Sequence, residues 1–141
     1  MPKSKADDDP LASVPLFQGL SRRELAAITS VAEELEHPTG HDIVVEGKSG
    51  AGFHLILEGS ASVRLGGREV TALSAGDYFG EMSVIDGGPR SATVTSTTPV
   101  RTLSIASWEF MPLLEKHPGI AAKLLVEMVR RVRRLESSPI D

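Results

Sequence analysis

The sequence has no cysteine among its 141 residues. Disulfide staples and thiolate chemistry are therefore excluded. The redox context reads as intracellular, so a cytoplasmic location is expected. No apolar run approaches the roughly 20 residues that a membrane-spanning helix requires. The opening residues, MPKSKADDDP, lack the apolar stretch of a secretory signal. Positive charge is in deficit, with 15 Lys and Arg against 19 Asp and Glu, a net charge of −4. The chain as a whole therefore lacks the electrostatic footprint of a nucleic-acid binder. No His-x-His pair occurs among His37, His41, His54 and His117. A metal-binding β-roll enzyme of the cupin kind needs such a cluster, so no metal is expected. No Ser-His-Asp set or carboxylate pair sits in a convincing context, and no catalysis is expected.

What is present is dense punctuation, with 13 Gly and 9 Pro, which suits many short strands better than a helix bundle. The length fits one domain, able to bury roughly 68% of its unfolded surface. Charge is uneven. Residues 1–117 carry 10 basic and 16 acidic side chains, while residues 118–141 carry 5 and 3. The polar stretch 1–9 reads as a disordered lead-in and 137–141 as a frayed tail. A short helical turn is expected over Leu11, Val14, Leu16 and Phe17, broken at Pro15. Ser21 and Glu24 match a capping box, with Leu25, Ile28 and Ala32 on one apolar face.

From about residue 33 to 106 the period changes to two. DIVVEG (42–47) reads as a strand. FHLILEG (53–59) puts Phe53, Leu55 and Leu57 on one face. SASVRLGG (60–67) puts Ala61, Val63 and Leu65 inward. Gly66-Gly67 is a hairpin signal, and REVTAL (68–73) returns. SATVTS (91–96) and VRTLSIA (100–106) follow. Ser107 is a suitable cap for the next helix, and Pro118 for the first turn of the last one. Ala121, Leu125, Met128, Val132 and Leu135 make a short heptad seam. Met82, Met111, Met128 and Trp108 are read as core. Arg130, Arg131, Arg133 and Arg134 fit a helix C-terminus flanking a dimer seam better than a nucleic-acid patch.

The most informative stretch is GDYFGEMSVIDGGPRSATV (76–94), a short helical segment from Gly80 among strands. Gly80 lets a ligand approach the backbone, and the first amides of a helix are unpaired donors. Gly87, Gly88 and Pro89 turn the chain and return Arg90, whose planar fork suits phosphate oxygens. Glu81 only accepts and can take hydrogen bonds from a vicinal diol. Together they describe a ribose phosphate better than a bare phosphate.

These residues resemble the phosphate-binding cassette of cyclic nucleotide-binding domains, found in the catabolite activator protein group and in regulatory subunits of cyclic-nucleotide-dependent kinases. The resemblance extends over about residues 10–136 and includes PLFQGLS, LEGSASV and GDYFGE. It implies a mainly β fold with flanking helices, a double-stranded β-helix (jelly-roll) with N-terminal helices and a long C-terminal helix. It implies cAMP or cGMP as ligand, with cAMP favoured. Arg90 would pair with the cyclic phosphate, in a role that serves the ligand and not the core. Glu81 would accept from the ribose 2′-hydroxyl. Amides of Gly80, Met82, Ser83, Ser91 and Ala92 would line phosphate and ribose, and Val63, Val70 and Leu73 would flank the base. Positions that contact the base edge in the transcription-factor branch fall near Leu135 and Glu136, with Arg134, Ser137 and Ser138 nearby. A homodimer through residues 118–136 is implied, with occupancy reported by that helix. No helix-turn-helix domain follows, so the expectation is a stand-alone sensor or a piece of a longer regulator, and the Met1 start favours an N-terminal or complete piece. The alternatives are a dimerisation scaffold with a decayed pocket and the ligand-sensing fragment of a helix-turn-helix regulator.

Overall fold

Helix α1 (Arg22–Val31) begins where the sequence places its cap. In the computed structural model the Glu24 amide donates to Ser21 Oγ at 3.1 Å, and the Ser21 amide donates to Glu24 Oε1 at 2.8 Å. Two otherwise orphaned amides are satisfied reciprocally. Leu25 and Ile28 are buried, but Ala32 opens the first strand instead of extending the helix face. Two 3₁₀ turns, Pro10–Ser13 and Pro15–Phe17, give the interrupted turn that Pro15 implies, with Leu16 and Phe17 buried. The structure describes residues 10–48 and 52–136. The expected lead-in (1–9) and tail (137–141) lie outside them.

The described residues group into two compact units, one of residues 29–112 and one of residues 10–28 with 113–136. The first holds eight strands: β1 (Ala32–His37), β2 (Asp42–Val44), β3 (Gly52–Glu58), β4 (Ser60–Leu65), β5 (Arg68–Ser74), β6 (Tyr78–Phe79), β7 (Thr93–Ser96) and β8 (Val100–Ala106). They form two antiparallel sheets in the orders β1-β8-β3-β6 and β2-β7-β4-β5. This is the expected jelly-roll. Ile56, Phe79 and Val100 from one sheet meet Ala61 and Val94 from the other. Burial of each of the larger side chains, Ile56, Phe79, Val94 and Val100, stabilises the roll by about 1.5–3 kcal/mol. On the opposite face of the first sheet, Phe53 stacks on Phe110 with centroids 5.0 Å apart.

Two breaks in pairing overturn the simple alternation. Between Ile56 and Glu58 the β3–β8 register shifts. Leu57, expected beside Phe53 and Leu55, is the extra residue there and is only half-buried, while Ile56, still paired with Thr102, is fully buried between the sheets. Between Val63 and Arg64 the β4–β5 register shifts as well, with Val70 as the extra residue on β5, while Leu65, expected inward, is 46% exposed because it pairs with Arg68 at the hairpin end beside Gly66-Gly67. A bulge adds one residue and so reverses the parity that alternation relies on.

Helix α2 (Glu81–Asp86) interrupts the strands, and α3 (Ser107–Lys116) follows them with Pro112 inside it. Trp108, read as core, is 72% exposed, because it lies on the side of α3 opposite the buried Phe110 and Leu113. Helix α4 (Pro118–Glu136) starts on Pro118 as expected. It packs against the Pro15–Phe17 turn and buries Ile120 and Leu124. The stripe buried inside the chain is therefore distinct from the seam expected to meet a second copy. Ala121 and Met128 are half-buried, but Leu125 and Val132 are exposed, together with Val126 and Val129. The Leu135 side chain lies outside those described.

Candidate functional site

The cassette is held from behind by β3. The Gly76 amide donates to the Ile56 carbonyl and the Ile56 amide to the Asp77 carbonyl, both at 2.8 Å. Asp77 Oδ2 accepts from the Ser74 amide at 2.8 Å. This turn feeds β6, which pairs His54 with Phe79 and Leu55 with Tyr78. The chain then reaches Gly80 at φ 91°, the left-handed cap of α2. A Cβ there would lie 2.5 Å from the Gly52 carbonyl oxygen and 2.7 Å from an Arg90 terminal nitrogen. Glycine is required both by the dihedral and by the close approach.

The return is equally fixed. The Gly87 amide donates to the Ser83 carbonyl at 2.9 Å, and the Gly88 amide to Asp86 Oδ1 at 2.8 Å. Ser83 Oγ donates to the Pro89 carbonyl at 3.3 Å. The Arg90 amide donates to Lys48 and its carbonyl accepts from Gly47. The Arg90 side chain then runs inward to 4% exposure, beside Glu81 at 3%. One terminal nitrogen donates to the Gly80 carbonyl at 3.0 Å and the other to the Gly52 carbonyl at 2.8 Å. Arg90 Nε is buried with no hydrogen-bond partner among the described residues. Burial lowers the Arg90 pKa, and the Glu81 carboxylate opposes that shift.

Of the expected site residues, Gly80, Glu81 and Arg90 are brought together. Ser83 is half-buried, Ser91 is exposed and Ala92 half-buried just beyond Arg90. Val63 and Leu73 are partly buried against the inter-sheet core. Val70 is 50% exposed, at the β4–β5 register shift. The Met82 side chain, read as core, is 54% exposed, since α2 buries only Glu81 and Val84. The reading of Arg90 as serving only a ligand is also corrected, because its fork ties Gly80 to Gly52. The sequence reasoning missed Gly52 and His54. A glycine opening a strand is a signal for close backbone approach, and a Cβ on Gly52 would lie 2.6 Å from the Ile105 carbonyl oxygen. His54 carried no signal, since only the fold sets it against Phe79, with ring centroids 5.1 Å apart.

A buried cation and a buried carboxylate around a left-handed glycine, on a jelly-roll, define a known pattern. The cyclic nucleotide-binding domain pattern matches residues 34–117. The chain belongs to that family. Among relatives of this cyclic nucleotide-binding domain is the CRP-like cAMP-activated global transcriptional regulator of Mycobacterium tuberculosis. It is 33% identical over 141 residues, covering 95% of this chain and 62% of that protein. The cAMP-dependent protein kinase regulatory subunit of Mycosarcoma maydis is 39% identical over 119 residues, covering 78% of this chain and 23% of that protein. The crystal structure of the Thermus thermophilus catabolite activator protein superposes with a TM-score of 0.77 at 30% identity, covering 86% of this chain and 60% of that one. The chain thus spans less than two thirds of each of these proteins. No described helix is long and apolar enough to cross a membrane.

Proposed function

We propose that residues 10–136 form a regulatory module that binds a cyclic nucleotide, with cAMP preferred to cGMP, and reports occupancy through α4. The observation that carries this reading is the buried Arg90, with its unpartnered Nε, beside the buried Glu81 at Gly80. Arg90 spends one terminal N–H on each of two carbonyls and keeps further donors for a cyclic phosphate, since a guanidinium has five. Glu81 accepts from the ribose 2′-hydroxyl. Amides of Gly80, Met82, Ser83, Ser91 and Ala92 surround phosphate and sugar, and Val63, Val70 and Leu73 flank the base. The names of the Mycobacterium and Mycosarcoma relatives support cAMP. Neither metal nor catalysis has a part in this reading, and the cytoplasm is its expected setting.

Calorimetry with cAMP, cGMP and AMP tests it, on the parent and on Glu81→Gln. The expected result is cAMP binding, cGMP weaker by about tenfold (about 1.4 kcal/mol), AMP weaker still, and a loss of affinity in Glu81→Gln. Equal binding of AMP and cAMP, or no cyclic nucleotide binding, sinks the reading.

A further inference from the structure

Inside the roll, four polar side chains cross three strands of one sheet in single file. His37 Nε2 lies 3.0 Å from Thr102 Oγ1. Thr102 Oγ1 lies 3.1 Å from Ser104 Oγ, which lies 2.7 Å from His54 Nδ1. Thr102 is wholly buried and Ser104 is 8% exposed. One end of the string stacks on His41, with rings 5.4 Å apart, and opens on a groove of about 700 Å³ that Glu36, Glu58 and Arg101 also line. The other end stacks on Phe79, next to Gly80. Arg90 is the charged group that acts on His54 there.

Hydrogen counting constrains this string. Its links N···O···O···N make three hydrogen bonds, and three bonds need three hydrogens. Each hydroxyl supplies one. Only one of the two facing ring nitrogens therefore carries a hydrogen. With both rings neutral, two arrangements satisfy all three bonds. Either His54 donates from Nδ1 and His37 accepts at Nε2, or His37 donates and His54 accepts. A cationic His37 has a hydrogen on both nitrogens and must donate, so only the second arrangement survives. A buried string with one bond unmade loses about 1–3 kcal/mol, which makes the count binding.

We infer that the four side chains form a proton-ordered relay, in which protonation of His37 at the groove fixes the hydrogen of His54 on Nε2. His54 is then a positioning residue. Its ring dipole, stacked on Phe79 and within the field of the Arg90 guanidinium, is set from outside the pocket. Burial first, then the charges of Arg90 and His37, hold the His54 pKa down at about 4. His37 is lowered too, by burial and by His41. His54 thus stays neutral, with one hydrogen to place, while His37 titrates. The relay stands by itself, and only its reach to a ligand rests on the cyclic nucleotide reading.

Long-range ¹H–¹⁵N correlation spectra of the ligand-free chain read both rings directly. Below the His37 midpoint, the expected His54 carries its hydrogen on Nε2, in excess by about tenfold or more (about 1.4 kcal/mol). In Thr102→Val, which cuts the string but leaves His37 to titrate, the His54 tautomer ratio should be the same above and below that midpoint and should differ from the parent's. Ser104→Ala makes the same cut should Thr102→Val not fold. A His54 hydrogen on Nδ1 below the midpoint overturns the relay, as does a parent that matches the cut variants at every pH. A cAMP titration separates the two readings, since failure to bind sinks the ligand assignment and leaves the His54 spectra as the judge of the relay.

Discussion

At the residue scale, Arg90 has two tasks that substitution can separate. Its fork bonds two backbone carbonyls, so Arg90→Ala orphans both. The expected outcome is a fall in stability of about 1–3 kcal/mol for each carbonyl left buried and unpaired, and a loss of about 2–5 kcal/mol in cyclic nucleotide affinity. Urea denaturation and calorimetry measure the two separately. Arg90→Lys keeps the charge without the fork and should recover less than half of the lost affinity. Gly80→Ala is expected to be worse than a surface change, because its Cβ meets both a carbonyl oxygen and the guanidinium at a left-handed φ. A Gly80→Ala variant with parental melting and affinity would contradict the clamp geometry. The chemistry of this corner was legible in the sequence, since Gly80, Glu81 and Arg90 stand together in FGEMSVIDGGPR. The backbone partner was not, because Gly52 lies 38 residues from Arg90 and no local pattern links them.

At the scale of elements, caps and strands were readable where local rules act alone. Ser21 with Glu24 and Pro118 define the helix starts they were expected to define. Errors arose where pairing decides. Leu57 and Val70 are the extra residues at the two register shifts, and a bulge is invisible to a count of alternating residues, while Leu65 stands at the open end of its hairpin. The stripe that α4 buries inside the chain was not legible for a related reason. The helix's apolar residues occupy more than one stripe, and tertiary packing chose Ile120 and Leu124 for burial. That leaves Leu125, Val129 and Val132 exposed at helical spacing, a face that a second copy of α4 fits. About two heptads are marginal by themselves in water, so a weak parallel dimer is expected. Sedimentation should show concentration-dependent dimers for the parent and monomers for Val129→Glu with Val132→Glu. A parent that stays monomeric at every concentration, with and without cAMP, removes the dimer.

At the scale of the whole molecule, His54 links stability to acidity. Its folded pKa is about 4 against an ordinary 6.5. Between those values the unfolded chain binds the proton that the folded one refuses. Stability from this group is complete above about pH 6.5 and is lost as pH falls towards 4, by about 3 kcal/mol in all. Urea midpoints should fall with acid over that window in the parent and fall less in His54→Gln. Equal acid sensitivity in both would assign the loss to other groups.

The ladder between β1 and β8 has a mechanical consequence. The chain enters the roll at Ala32 and leaves it at Ala106, and the ladder joins Ala32 to Ile105 at one end and His37 to Val100 at the other. Entry and exit are therefore side by side. Tension applied through the flanking helices loads the bonds at that end one after another, as in a zipper, rather than all together in shear. The roll should thus yield at low force, peeling from Ala32 towards His37. A tug on α1 and α3 would pass Ser104 early and would part His37, at the far end of the ladder, from Thr102 last.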